Sequence, residues 1–183
     1  RSTAPWTELA RFGRGLIQPD FATFDTAIVA LTRTLAFAFT GVGAAAILGM
    51  GLALVFHYRV VRIFCAFVRS IHELFWALIF LQFFGLHPIT GVLAIALPYA
   101  ATFGRVYSEI LEEGDRGAVE ALSAHSGLIS IFWYARVPDL WAHLTSYTSY
   151  RFECGMRSSA VLGFVGMPTL GFYLESSYAE GQY

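Results

Sequence analysis

Three arginine–glutamate pairs in this chain stand four positions apart: Arg69/Glu73, Arg105/Glu109 and Glu153/Arg157. At that spacing two side chains share a helix face and can neutralise each other. Just before the third pair runs Thr145-Ser146-Tyr147-Thr148-Ser149-Tyr150-Arg151. Hydroxyls beside one guanidinium suit a small anion in transit, although Ser and Thr also serve as hydrogen-bonding glue between helices. Tyr150, Arg151, Glu153, Arg157, Arg69 and Glu73 are therefore the candidates for lining or gating a polar route. Structural ion pairs between packed helices are the competing reading.

Catalytic chemistry finds less support. His72-Glu73 begins a zincin-like pattern, but the second histidine would fall at 76, where the residue is Trp76. His57, His87, His125 and His143 lack ligand spacing, and Cys65 and Cys154 read as packed thiols. The chain contains no lysine, so it has no phosphate-binding loop ending in Gly-Lys-Ser/Thr. Neither catalytic nor metal-ligating residues are expected.

The elements that position these residues must lie in a membrane. Hydrophobic residues make up 56% of the 183, charged residues only 14%, and the mean hydropathy is +0.58. A soluble domain carries about 25% charged residues to wet its surface. The net charge of −1 offers no general attraction to nucleic-acid phosphates.

Residues 5–18 place Trp6, Leu9, Gly13, Leu16 and Ile17 on one face and Glu8, Arg11, Arg14 and Gln18 on the other. That pattern predicts a short helix in the membrane interface, or a soluble cap, within an amphipathic segment 1–23. Thr34–Phe56 runs without a charge and is long enough to span. Its Gly41, Ala45, Gly49 and Ala53 form a small-residue stripe that lets another helix approach closely. Gly41-Val42-Gly43-Ala44-Ala45-Ala46 fits a loose dinucleotide fingerprint, but no strand precedes it and the match is chance.

A basic turn at 57–62 leads into two apolar limbs, 63–86 and 89–104, broken at Gly85-Leu86-His87-Pro88. Residues 105–138 are the most polar part of the chain, and after Pro138 the apolar character returns with glycine interruptions. Interrupted segments at membrane depth need protein or a water-filled path to cover their backbone. Two spans separate 57–62 from 105–138, so these stretches share one side, and their arginines argue for the cytoplasm. Arg1, Arg11 and Arg14 then fall outside, against that rule. Residues 153–157 lie 14–18 positions beyond Asp139, or roughly 20–27 Å along a helix. An unpaired charge at such depth costs about 2.5–3.5 kcal/mol.

The polar stretch reads as two short helices around Gly127, with Ser130 as a cap and Pro138 as a stop. Val119, Leu122, Ile131, Phe132 and Trp133 give it more apolar surface than a solvated loop needs, as in a docking element or one packed on its own membrane domain. Glu120-Ala121-Leu122, a following glycine and Val137-Pro138 resemble the Glu-Ala-Ala loop of permease subunits in binding-protein-dependent ABC importers. Tyr150-Arg151-Phe152-Glu153 and Arg157-Ser158-Ser159-Ala160-Val161-Leu162-Gly163 resemble the phosphonate-importer permeases more specifically. So does Arg69-Ser70-Ile71-His72-Glu73-Leu74-Phe75-Trp76-Ala77-Leu78, and the likeness covers about residues 24–175.

That resemblance implies an all-α, polytopic transmembrane helix bundle of the methionine-importer-like permease type, multi-pass in the bacterial inner membrane. It implies a permease core over 24–183 with a cytoplasmic coupling loop at about 112–138, lacking a flanking helix at each end. Glu120, Ala121, Leu122, Ser126 and Gly127 would couple to a separate ABC ATP-binding subunit, which uses the ATP; the chain itself would bind no cofactor. A periplasmic substrate-binding protein and a second permease subunit, identical or different, complete the implied assembly. The implied cargo is phosphonate or a related phosphorus oxyanion. Another small solute, a membrane-embedded enzyme and a scaffold bundle are the alternatives. The sequence departs from the family's pattern at Ser126, in the customary glycine place, at His72 for proline and at Gly155 for asparagine. Glu120 to Gly127 is one residue longer than usual, and Glu120 to Pro138 one shorter.

Overall fold

The computed structural model describes residues 24–113 and 137–180, with single residues at 13, 132 and 134. Apart from residue 13, the segment 1–23 lies outside the described residues, as do the coupling residues Glu120, Ala121, Leu122, Ser126 and Gly127. Those described form helices α1 (Phe24–Leu54), α2 (Arg59–Ser70), α3 (Glu73–Phe84), α4 (Pro88–Glu113) and α5 (Val137–Val161). A 3₁₀ turn at Leu162–Val165 and helix α6 (Leu170–Glu180) follow, and no strand occurs among the described residues. This is the expected all-α bundle.

Helix α1 begins ten residues before the uncharged run and takes in Asp25 and Arg33. Charges end an apolar stretch without ending a helix, because aspartate in a first turn favours the helix dipole. The small-residue stripe is buried along its whole length and faces α4. A Cβ added at Gly41 would stand 3.0 Å from the Ile95 side chain, and one at Gly49 would collide with Phe103. Close approach of two backbones is therefore the reason for glycine here. Helix α4 is the centre of the bundle, with α1, α2, α3 and α5 all packed on it. It runs past Gly104 to Glu113, so Arg105 and Glu109 belong to its last turns and not to a loop.

The limb 63–86 is not one helix. Helices α2 and α3 meet at 92°, with Ile71 and His72 extended between them. His72 has φ −64°, the value that proline imposes, and its Nδ1 accepts from the Leu74 N–H at 3.3 Å to cap α3. Trp76 Nε1 donates to the Val68 carbonyl at 3.2 Å and ties the two helices across the bend. Gly85, at φ +64°, ends α3 in a conformation that disfavours any side chain, and Pro88 opens α4 at the position where its missing N–H costs least.

Among the described residues α1 and α4 are each long and apolar enough to cross a membrane alone, and the α2–α3 pair, bent by 92°, has the length and composition of a broken span or a re-entrant loop. Helix α5, at 25 residues, has the length but carries Asp139, Arg151, Glu153 and Arg157. Its end is held by the chain itself. Ser159 donates to the Thr34 carbonyl at 2.7 Å, and Thr34 Oγ1 accepts from the Leu170 N–H at 3.0 Å. Gly163 packs against the backbone at Gly171 and Phe172, leaving no room for a Cβ. The glycine-interrupted segment thus has its backbone covered by protein.

Candidate functional site

Aromatic and hydroxyl side chains from α4 meet α5 in the middle of the bundle. Tyr99, Phe103 and Tyr107 recur every fourth residue on α4, and all three are buried. Phe103 and Tyr107 pack against Tyr147 of α5 with ring centroids 5.6 and 6.3 Å apart. The Tyr107 hydroxyl bonds Thr148 Oγ1 at 2.6 Å, so Thr148 joins helices. Thr145 turns back to the Trp141 carbonyl at 2.8 Å, within its own helix. Part of the hydroxyl-rich run is therefore glue, as its competing reading holds.

Arg151 is different. Its guanidinium carbon lies 5.3 Å from the Tyr147 ring centre, 5.7 Å from Tyr150 and 6.0 Å from Tyr99. Three electron-rich faces around one half-buried cation each contribute about 0.5–2 kcal/mol and fix its position. Its Nε donates to the Tyr147 hydroxyl at 2.8 Å. The other guanidinium N–H groups have no hydrogen-bond partner among the described residues. A planar fork of such donors matches two oxygens of a carboxylate or phosphorus oxyanion.

Beside the cage, Ser158 donates to Glu73 Oε1 at 2.6 Å and shares a 3.1 Å hydrogen bond with the Tyr99 hydroxyl. With the serine proton directed at the carboxylate, the phenol donates to the serine oxygen. A polar chain Glu73–Ser158–Tyr99 thus links α3, α5 and α4 and ends against the Arg151 cage. Every buried side-chain nitrogen or oxygen among the described residues has a partner. No group of three potential metal ligands comes together among them.

Two expected pairings are corrected. Arg69 and Glu73 do not share a helix, because the bend at 71–72 separates them; Glu73 turns to Ser158 and Arg69 points into a different groove. Glu153 and Arg157 share α5 but form no ion pair, and both lie exposed on the surface of the chain. Only Arg105 and Glu109 pair as expected, at 2.8 Å, and both are about half exposed, so the pair adds little stability. Of the other candidates, Tyr150 and Arg151 stand together through a ring–guanidinium contact. Tyr99 and Ser158 were missed as site residues. Tyr99 sits in an apolar run, and its partner is 59 residues away in sequence.

The turn after α1 lies beside the end of α4, where residues 57–69 and 101–112 line one groove. This places the turn at 57–62 at the same end of the bundle as Arg105 and the described start of the polar stretch, the arrangement that span parity requires.

No family model matches the chain. It is 30% identical over 172 residues to a putative phosphite transport system permease protein, HtxC, of Stutzerimonas stutzeri, covering 88% of this chain and 61% of that one. It is 31% identical to the putative cryptic phosphonate transport system permease protein PhnE2 of Escherichia coli, covering 45% of this chain and 69% of the relative. Its fold is similar to that of the methionine ABC transporter MetNI in an inward-facing conformation, with a TM-score of 0.79 at 17% identity over 88% of this chain and 83% of the other. The chain belongs to the permease family of ABC transport systems that includes these phosphite and phosphonate permeases.

Proposed function

We propose that this chain forms half of the membrane pathway of an ATP-driven importer for a phosphorus oxyanion, with Arg151 as the group that meets the anion. The tyrosine cage around a guanidinium with unused donors carries this reading. An oxyanion crossing a low-dielectric layer needs a fixed cation to offset its desolvation, and the cage holds one at bundle depth. The exposed Glu153 and Arg157 on the same helix would face a second permease subunit across the route. The relatives' names support the cargo class and the role of permease.

The segment at about 112–138 would dock on a separate ATP-binding subunit in the bacterial inner membrane through Glu120, Ala121, Leu122, Ser126 and Gly127. A periplasmic binding protein would deliver the anion. ATP is hydrolysed by the partner, so this chain needs no cofactor of its own. The test is ATP hydrolysis by the full-length permease reconstituted with its ATPase and binding protein, measured with phosphite, methylphosphonate, phosphate and methionine. Stimulation by one or more phosphorus oxyanions and not by methionine is expected, and Glu120→Lys should abolish retention of the ATPase. Equal stimulation by methionine, or an ATPase retained equally by Glu120→Lys, would overturn the reading.

A further inference from the structure

The 57–58 turn, the length of α2 and the end of α4 enclose a groove of about 800 Å³, apart from the Arg151 cage. Arg59, Arg62, Arg69 and Arg105 line it, against Glu109 and Glu112. Glu109 already holds Arg105 at 2.8 Å, whereas Arg59, Arg62 and Arg69 make no ion pair among the described residues. From Arg59 to Arg69 the basic wall runs ten residues, or about 15 Å.

Helix α2 has three faces. Cys65 and Val68 are buried against Ala101 of α4. The arginines face the groove, and Val60, Phe64 and Phe67 are exposed, Val60 by 78%. Within the groove Ile63 and Ala66 are exposed beside the arginines, so the lining needs hydrocarbon as well as an anion. A phosphate-sized ion would satisfy the arginines but fill only a small part of the groove, and it would leave the apolar lining at Phe56, Ile63 and Ala66 uncovered. A molecule that supplies both is an anionic phospholipid, and basic pockets between membrane helices bind such headgroups.

We propose that this groove is a binding site for an anionic phospholipid, its phosphate between Arg62 and Arg69 and its acyl chains along Ile63 and Ala66, which line the groove beside them. The site is independent of the cargo. It places a lipid against the bend between α2 and α3, one turn of chain from Glu73, so an occupied groove braces the element that carries one end of the polar chain.

Native mass spectrometry of the full-length permease, exchanged from mixed micelles of phosphatidylglycerol and phosphatidylcholine, tests this. The wild type should retain phosphatidylglycerol preferentially, and Arg62→Gln/Arg69→Gln should bind it roughly thirtyfold more weakly. Arg62→Lys/Arg69→Lys should keep most of the binding, as should Arg33→Gln, whose charge lies on α1 outside the groove. Neither millimolar inorganic phosphate nor the partner ATPase should displace the lipid. Equal retention of both lipids by the wild type, or undiminished binding in the glutamine variant, would overturn the proposal. Displacement by inorganic phosphate would make the groove a small-anion site, and displacement by the ATPase would make it a protein interface; either result also overturns it. Should the glutamine variant fail to fold, the lipid preference of the wild type and the lysine variant still decides.

Discussion

Replacing Ser158 by alanine removes one oxygen that serves two other helices. Its hydroxyl is 2.6 Å from Glu73 Oε1 and 3.1 Å from the Tyr99 hydroxyl, at a site only 5% exposed. In a soluble protein a hydrogen bond to a charged group contributes about 1.5–3 kcal/mol. Between membrane helices, double-mutant cycles average about 0.6 kcal/mol and reach about 1.7, because the unfolded chain in the bilayer finds other partners. The short, charge-assisted bond to Glu73 belongs near the top of that membrane range. Ser158→Ala should therefore cost about 1–2 kcal/mol, and its coupling to Glu73→Leu should be about 1 kcal/mol or more. Glu73→Gln keeps an acceptor oxygen and should lose much less. Unfolding of the wild type, the two single variants and the double variant in mixed micelles measures this. Additivity of Ser158→Ala and Glu73→Leu within about 0.3–0.5 kcal/mol would refute a direct bond between α5 and α3.

Two further outcomes follow from the packing. Gly49→Ala drives a methyl into Phe103 and should destabilise by about 1–3 kcal/mol, or lower the melting temperature by several degrees. Gly43→Ala has nothing within 4 Å and should be neutral or stabilising, so equal melting temperatures for the two would contradict the α1–α4 contact. His72→Pro should change stability by less than about 1 kcal/mol, because φ is already −64° and Ile71 before it is extended; the unfolded chain loses freedom while the α3 cap is lost. A cost of about 3 kcal/mol, as for proline within a helix, would show that the bend is placed wrongly.

The bundle was legible where one local pattern sets the outcome. The stripe from Gly41 to Ala53 announced a close helix contact, and Gly85 to Pro88 announced a break with the turn chemistry that the structure uses. The bend at His72 was not legible in the residue itself, since a histidine gives no signal for an extended position; the available signal was the proline that the resembling permeases carry there, whose φ His72 adopts. The Arg69/Glu73 pairing failed for the same reason: spacing of four implies contact only on a continuous helix. Arg151 stood out as a cation among hydroxyls, but its cage needs Tyr99, and Glu73 needs Ser158 from 85 residues away. Pairings across such distances are set by how α3, α4 and α5 cross, which no local pattern encodes.

The central claim is that the caged guanidinium meets the transported anion. Uptake of radiolabelled phosphite into proteoliposomes holding the complete transporter tests it most directly, with Arg151→Ala and Arg151→Lys beside the wild type and assembly followed by size-exclusion chromatography. Losing charge-assisted bonds should lower uptake by roughly tenfold or more in Arg151→Ala, with an intermediate loss in Arg151→Lys, which keeps the charge but not the fork of donors. Undiminished uptake by a correctly assembled Arg151→Ala transporter would contradict the account.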